Sequence, residues 1–237
     1  MKNPAAGGGR WVEVAPERVV PWITDFARRH GGPLEVARAN DGATVTFTAT
    51  DGATAECHPP FPPIPTVPGP DNPDPEAAAT ALAAHALADR TVGVLLVRLG
   101  GYAVGVFSGS PPRLVSSKAG SRPVHGRSAA GGWSQHRFAR RRENQATTAL
   151  RTAADAATAI FAAAGRLDAL VLGGDRRAMA GLPMDTSGAV ERFLTVPDPR
   201  LAVLRDTPRA FLAIRIRLVE PAPDRGSTLD GVLLTED

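Results

Sequence analysis

The first 58 residues alternate between the periodicity of strands and that of a helix. Apolar residues at helical spacing predict an amphipathic helix over 16–30, with Val19, Val20, Ile23 and Phe26 turned inward. Short apolar or alternating runs predict strands over 10–14, 34–38, 43–49 and 53–57. Asp51 and Gly52 predict a tight hairpin turn between the last two strands. Residues 1–58 are therefore predicted to form a small α+β module.

The segment 59–75 interrupts this pattern. Nine of its seventeen residues are proline, so neither a helix nor a central strand can continue through it. We predict a semi-rigid linker here. At its end, Asp74 and Pro75 form the cap and first-turn pair that is typical of a helix start, and an alanine-rich helix is predicted to about residue 89.

A second module is predicted over 76–222. Apolar runs over 92–98 and 102–107, joined by Gly100 and Gly101, predict a buried hairpin, and 113–117 predicts a third strand. The stretch 136–164 lacks glycine and proline and has helical spacing over about eight turns. The apolar run 167–172 predicts a strand parallel to an earlier one, with the long helix as the crossover. Further predicted elements are a short helix over 177–182 and a strand over 191–196. The fold class is α/β, and α+β for the whole chain, with a mixed sheet and packed helices.

The end of the second module permits two interpretations. Thr207 and Pro208 could open a helix, whereas Leu212, Ile214, Ile216 and Leu218 alternate with less apolar residues as in a strand. The pattern over 208–219 does not separate the two, although the alternation favours a strand. Residues 223–237 are predicted to form a C-terminal tail.

A long segment over 119–135 has no periodicity and consists largely of Gly, Ser, Pro, His and Arg. Loops of this length inside a domain are uncommon and are usually functional or disordered. The segment contains Gly131 and Gly132, where backbone can approach a ligand closely, and it ends at Gln135. Four arginines follow within the predicted helix: Arg137, Arg140, Arg141 and Arg142.

Composition narrows the environment and the partners. The net charge is only +3, but lysine occurs at just two positions, Lys2 and Lys118, so nearly all cations are arginines, which bind phosphate in a forked geometry. Cys57 is the one cysteine, so no internal disulfide can form, and a cytoplasmic protein is expected. Neither a signal-peptide core nor a membrane-length apolar stretch is present in the sequence.

Several catalytic mechanisms lack their residues. The five histidines are dispersed without metal-ligand spacing, no GxSxG motif is present, and a P-loop motif is absent. No metal and no cofactor are expected. Gln135 cannot ionise in the physiological range, so its amide can only orient a reactant. That restricts the substrate to an already reactive group, such as an acyl ester of a ribose, whose attack by water needs positioning and oxyanion stabilisation more than a strong base.

These residues carry a family resemblance. Gly131, Gly132 and Gln135, followed by the arginine-rich helix, resemble the catalytic loop and helix of the middle domain of eukaryotic and archaeal class-1 peptide release factors. Those proteins carry a contiguous Gly-Gly-Gln, whereas Trp133 and Ser134 intervene here. The resulting GGxxQ form is similar to that of the release-factor-like peptidyl-tRNA hydrolases of ribosome-associated quality control, including their actinobacterial members. The resemblance extends over about 90–200.

The resemblance implies an RNase H-like domain with a long catalytic loop that enters the peptidyl-transferase centre of the large ribosomal subunit and releases the nascent chain from peptidyl-tRNA. Gln135 would orient the attacking water, and the Gly131 and Gly132 backbone would lie against the terminal adenosine. Trp133, Ser134 and the four arginines would bind the tRNA. A codon-reading domain is absent, so rescue of stalled ribosomes is expected in place of stop-codon recognition, and a monomer is expected.

Two other functions fit the same residues. The loop could cut tRNA near its 3′ end as an endonuclease, with His125 or His136 as the base that such chemistry needs. Alternatively, the chain could be a non-enzymatic RNA- or ribosome-binding module in which the arginines bind phosphate and Gln135 has no catalytic role.

Overall fold

The strands of the chain form two sheets, one of six strands and one of five. The computed structural model describes residues 3–5, 8–65, 73–98, 101–121, 134–180 and 190–221, and in the helix over 134–164 it describes the side chains of Thr148 and of the residues from Leu150 onward. In chain order the elements are β1 (Asn3–Pro4), β2 (Arg10–Val14), a 3-10 turn (Pro16–Arg18), α1 (Val19–Arg29), β3 (Leu34–Arg38), β4 (Val45–Ala49), β5 (Thr54–His58), α2 (Pro75–Ala86), β6 (Val92–Arg98), β7 (Gly101–Ser108), β8 (Arg113–Ser121), α3 (Ser134–Ala164), β9 (Ala169–Gly174), α4 (Arg176–Ala180), β10 (Val190–Leu194), α5 (Leu201–Phe211) and β11 (Ile214–Val219). The predicted fold class, α+β overall, is confirmed.

The six-stranded sheet has the order β1-β2-β11-β5-β4-β3 and is antiparallel throughout. Strand β11 lies in its middle, where Ile216 is opposite Val12 of β2 on one side and Cys57 of β5 on the other. A division of the chain at 59–75 does not anticipate this insertion, since β11 comes from the far end of the range 76–222. The domain boundaries stay a prediction, but the N-terminal sheet contains a strand from the second module.

Helices α1 and α2 cover one face of the six-stranded sheet. Val19, Ile23 and Phe26 of α1 are buried as predicted, and Val20 packs at the margin of the same core. Leu82 and three alanines of α2, Ala78, Ala79 and Ala86, belong to this core as well. The N-cap of α2 is confirmed, because Asp74 Oδ2 accepts a hydrogen bond of 2.8 Å from the Ala77 amide. Cys57 is buried among apolar side chains, and burial raises the pKa of its thiol well above the usual range.

The first part of the predicted linker is packed against the rest of the protein. Phe61 is buried in the core of the five-stranded sheet, with its ring centroid 6.0 Å from that of Phe211. The backbone oxygens of Pro60 and Phe61 both lie 3.1 Å from His85 Nε2 of α2, and the Ile64 amide donates to the Gly42 oxygen. Residues 59–65 therefore connect the two sheets through specific contacts, and 66–72 lie outside the described residues.

The five-stranded sheet has the order β10-β9-β6-β7-β8. Counted from β6, this is the order 5-4-1-2-3, with the hairpin strand β7 antiparallel and β9 and β10 parallel to β6. That is the RNase H-like arrangement that the family resemblance implied. Helix α3 connects β8 to β9 and is the crossover that the sequence predicted.

Helices cover both faces of the five-stranded sheet. On one face, Leu150, Ala153, Ala157 and Phe161 of α3 pack on Leu95 and Val104 with Met179 of α4. On the other face, Leu204 and Phe211 of α5 pack on Val94, Leu96 and Phe107. Because both faces are buried, the strands β6 and β7 consist of almost uninterrupted apolar residues, which explains the runs seen in the sequence.

Many element boundaries differ from the predictions by a few residues, and the differences at β8, α3 and α5 affect the region around the candidate site. Strand β8 continues to Ser121, because Gly120 leaves room for the ring of Tyr102, whose Cε1 would lie 2.6 Å from a Cβ at that position. Helix α3 begins at Ser134, two residues before the predicted start at 136. Helix α5 was not predicted, since buried Thr207 and Pro208 interrupt its apolar pattern. Pro208 lies in the last turn of α5 and does not open a helix, and β11 confirms that the alternation favours a strand.

Candidate functional site

The candidate site lies where the chain passes from β8 to α3. Strand β8 ends at Ser121 and α3 begins at Ser134. The predicted site residues Gly131, Gly132 and Trp133 lie between these ends, outside the described residues. The backbone of Ser134, Gln135 and the four predicted arginines (Arg137, Arg140, Arg141 and Arg142) forms the first turns of α3, but their side chains also lie outside the described residues. The roles of all nine residues stay predictions.

The loop leaves the sheet at one particular edge. Strands β6 and β9 are parallel, and Val97 near the end of β6 is opposite Gly174 at the end of β9. Ser121 is opposite Gly101, which follows the same end of β6 across the hairpin. We call this end of the five-stranded sheet the carboxyl edge. Proteins with an α/β sheet commonly bind their ligands just beyond the carboxyl ends of the parallel strands.

Helix α3 is longer than the sheet on which it packs. A Cβ placed on Gly93, at the start of β6, would lie 3.1 Å from Phe161 Cε1, so this part of α3 is beside the opposite end of the strands. From Phe161 back to Ser134 the helix is about 40 Å long. From Gly93 to Arg98 the strand is only about 17 Å long. About 20 Å of α3 therefore extends past the carboxyl edge, with Gln135 near its outer end.

The carboxyl edge itself is held by close backbone packing. Gly174 has φ +109°, and a Cβ at this position would lie 2.0 Å from the Val97 oxygen. The Asp175 amide donates to that same oxygen at 2.9 Å, and Asp175 Oδ1 accepts a hydrogen bond from the Arg177 amide at the start of α4. Gly173 and Gly174 are the last two paired residues of β9 and do not form a turn, although a glycine pair is more often found in a turn.

Four exposed arginines surround this edge: Arg98, Arg176, Arg177 and Arg200. Arg98 Nη1 donates to the Val196 oxygen at 3.3 Å, and its Nε lies 3.9 Å from Asp198 Oδ1. The guanidinium carbon of Arg176 lies 3.9 Å from the ring centroid of Phe193 on β10. We call these four residues the edge arginines.

The edge arginines were not among the residues predicted from the sequence. Arg98 is the last residue of β6 and Arg176 lies two residues beyond the end of β9, and this position at the carboxyl end of parallel strands is a signal that could have identified them. Arg200 immediately precedes α5. Because that helix was not predicted, the sequence did not indicate that Arg200 lies at the start of a helix beside this edge.

The described residues contain neither a metal centre nor a membrane span. Within the described ranges, no three His, Cys, Asp or Glu side chains come together in a way that could hold a metal ion. The same part of the chain contains no helix with the length and apolarity needed to cross a bilayer. A reaction without metal or cofactor stays a prediction.

Comparisons with known proteins give a family and two similar structures. A family model described as "Actinobacteria/chloroflexi VLRF1 release factor" matches residues 90–217, which is more than half of the chain. The structure "Vms1 mitochondrial localization core" is similar at 8% identity over 86% of this chain and 82% of that chain, with a TM-score of 0.38. An archaeal translation termination factor, aRF1, is similar at 12% identity over 70% of this chain and 51% of that chain, with a TM-score of 0.32. A search of curated proteins gives no match.

Proposed function

Because the chain belongs to the Actinobacteria/chloroflexi VLRF1 release factor family, we propose that it is a peptidyl-tRNA hydrolase that releases nascent chains from stalled ribosomes. The family match carries this proposal, since residues 90–217 include the GGxxQ loop, α3 and the five-stranded sheet. The proposal makes the large ribosomal subunit and peptidyl-tRNA the partners of the protein and the cytoplasm its location. A monomer suits a protein that must reach an enclosed ribosomal site.

The proposed reaction is attack of water on the ester between the peptide and the terminal ribose. The water oxygen bonds to the acyl carbon, the ester bond to the ribose oxygen breaks, and a proton from water ends on the ribose hydroxyl. The amide of Gln135 orients the water through hydrogen bonds, since it cannot remove a proton as a base. Backbone amides beside Gly131 and Gly132 stabilise the developing oxyanion, and each such donor contributes on the order of 10²-fold or more to the rate.

The length of α3 supports this proposal. A catalytic group that acts inside the ribosome must be carried away from the bulk of its own domain. The outer 20 Å or so of α3, estimated from the rise of the helix, provides that distance. The four arginines within its first turns supply positive charge for phosphates next to the ester, and Trp133 offers a ring on which a base can stack.

The experiment uses stalled ribosomes that carry peptidyl-tRNA labelled both in the peptide and at the 3′ end of the tRNA. Free peptide together with intact tRNA is the expected result. A shortened tRNA would instead identify the chain as a nuclease, and tight binding without any product would identify a non-enzymatic binding module.

The mechanism is tested by Gln135→Ala, which should slow peptide release by on the order of 10²-fold or more. The matched control is Gln145→Ala, since Gln145 is the only other glutamine of the chain and lies in the same helix. Release by Gln135→Ala at the wild-type rate would exclude Gln135 as the residue that orients the water.

A further inference from the structure

Among the described residues, the carboxyl edge of the five-stranded sheet carries more positive charge than the neighbouring carboxylates can balance. Four guanidinium groups, those of the edge arginines, are accompanied by the carboxylates of Asp175 and Asp198. The Asp175 carboxylate already accepts a hydrogen bond from the Arg177 amide, and Asp198 is 3.9 Å from Arg98. At this edge, the described residues leave an excess of two positive charges.

The side chains of the edge arginines are presented in different ways. Arg176 lies over the ring of Phe193, and a guanidinium that is stacked by its face keeps the N–H groups of its rim available for an anion. Arg98 is held in place by the Val196 oxygen. Arg177 and Arg200 are exposed, and among the described residues neither lies within ion-pair distance of a carboxylate.

The position of these charges relative to α3 identifies their ligand. Pro199, next to Arg200, lies beside Gly101, so all four edge arginines are at the end of the sheet from which the loop over 122–133 departs. From that edge α3 extends outward by about 20 Å, with four more arginines near its outer end. The backbone that carries the arginines of α3 therefore begins about 20 Å beyond the edge arginines, a separation that suits a polyanion and not a single small anion.

We infer that the edge arginines bind the phosphate backbone of RNA and form a second contact surface, about 20 Å from the outer end of α3. Arginine suits this ligand, because its planar fork matches the oxygens of a phosphodiester. Such contacts position a nucleic acid without reading its sequence. This inference rests on the proposed function in one respect: the proposed function identifies the RNA as the acceptor end of the peptidyl-tRNA. The excess of positive charge itself depends on no catalytic step.

The test compares charge reversals at the two ends of the same sheet. Arg177→Glu combined with Arg200→Glu changes the carboxyl edge. The control, Arg113→Glu combined with Arg166→Glu, makes the same change in charge at the opposite end, where β8 begins and β9 is about to begin. All four residues are exposed, so both double variants are expected to fold. Folding is checked by circular dichroism and thermal unfolding.

Binding is measured by fluorescence anisotropy with a labelled RNA duplex that ends in a single-stranded 3′ CCA, between about 50 and 200 mM KCl, a range over which phosphate binding weakens strongly. The carboxyl-edge variant should bind at least about tenfold more weakly, and its log–log dependence on salt should be shallower by about 2, roughly 1 for each phosphate that the variant no longer neutralises. The control variant should keep the wild-type affinity and slope. Equal behaviour of the two double variants would overturn the inference.

Two further arms separate the possible failures. In the first, poly-glutamate is added at the same charge concentration as the RNA. If it displaces the RNA from wild type but not from the carboxyl-edge variant, the ligand is an acidic protein and the inference is overturned. Gln135→Ala should bind the RNA like wild type. If Gln135→Ala abolishes peptide release while Arg177→Glu with Arg200→Glu leaves RNA affinity unchanged, the proposed function stands and the second contact surface is wrong.

Discussion

The two sheets of the protein differ in how their faces are used. The five-stranded sheet is buried on both faces, between α3 with α4 and α5. The six-stranded sheet is covered by helices on one face, and on the other face its charged side chains pair across the strands. Arg217 of β11 donates to Glu56 of β5 at 3.0 Å, and the guanidinium carbon of Arg215 lies 4.3 Å from the ring centroid of Trp11.

This difference shows why arginines in the two regions call for different explanations. On the open face of the six-stranded sheet, each arginine of β11 has an ionic or aromatic neighbour on an adjacent strand, which is sufficient reason for its presence. At the carboxyl edge of the five-stranded sheet, Arg98 and Arg176 also have an ionic or an aromatic neighbour, whereas Arg177 and Arg200 have neither among the described residues. The arginines of β11 stabilise the fold, whereas Arg177 and Arg200, in the second contact surface inferred above, are available to a ligand.

The largest effect is expected from glycine substitutions that probe the packing of each sheet. Gly174→Ala would place a methyl group 2.0 Å from the Val97 oxygen at φ +109°, where neither backbone can move without breaking the pairing of β6 and β9. We expect a loss of at least about 3 kcal/mol in the free energy of unfolding. Gly52 in the β4–β5 hairpin also has a positive φ, +86°, but no atom lies within 4 Å of its Cβ position, so Gly52→Ala should cost only about 1 kcal/mol.

Urea denaturation of both variants measures this contrast. If Gly174→Ala were no more destabilising than Gly52→Ala, the close approach of β9 to β6 at the carboxyl edge would be wrong.

A somewhat smaller effect is expected from Arg192, one of the residues that connect the two sheets. Arg192 of β10 donates to the Phe211 oxygen at 2.9 Å and to the Ala213 oxygen at 3.0 Å, which joins the five-stranded sheet to the connection between α5 and β11. Burial, together with the nearby charge of Arg215, lowers the pKa of Arg192 to about 10, although Glu13 opposes this shift. Arg192→Met keeps the apolar stem but leaves two carbonyls without a donor, so we expect a loss of about 2–3 kcal/mol.

The coupling between the sheets can be followed with two probes. Trp11 and Trp22 both belong to the six-stranded part, so with Trp133→Phe as background their fluorescence reports that sheet, while circular dichroism reports the whole chain. The two unfolding curves should coincide in the background protein and separate in Arg192→Met. Arg209→Met, on the exposed side of α5, is the control and should leave both curves unchanged.

The same contrast explains which parts of the structure the sequence could predict. The sequence predicted β6, β7 and α3 well. Strands that are buried on both faces consist of continuous apolar residues, and a helix that packs on one face has apolar residues at helical spacing. The insertion of β11 between β2 and β5 could not be predicted, since pairing between strands so distant in sequence leaves no local signal. Helix α5 was missed because a polar residue, Thr207, occupies a buried position and breaks the apolar period. Its hydroxyl donates a hydrogen bond to the Leu204 oxygen, which allows this burial.

The candidate site was predicted only in its sequence motif. The resemblance around Gly131, Gly132 and Gln135 identified the family that the comparison confirms. The edge arginines carried no motif, because they come from β6, α4 and the start of α5 and are brought together only by the strand order. A site that is assembled from the ends of separate elements needs the topology before its residues can be recognised.

The smallest effect is expected on the open face of the six-stranded sheet, and it should depend on pH. Burial disfavours the charge of Glu56, but the hydrogen bonds and charge of Arg217, with His58 Nε2 at 2.8 Å, outweigh it and lower the pKa of this carboxyl. A carboxyl whose pKa is lower in the folded than in the unfolded chain stabilises the fold above its unfolded value of about 4.3. That stabilisation is lost as the pH falls through the lowered value.

Glu56→Gln should therefore cost about 1 kcal/mol at pH 7, and the difference from wild type should shrink as the pH falls from about 4 toward 2. Urea denaturation at a series of pH values measures it, with Glu35→Gln on β3 of the same sheet as the control, since Glu35 is exposed and lies opposite the uncharged Thr48. A cost that stayed constant down to pH 2 would mean that Glu56 contributes through packing, and the open face would then owe little of its stability to charge. A cost that disappears with acid would confirm that these arginines are paired for the fold, in contrast to those at the carboxyl edge.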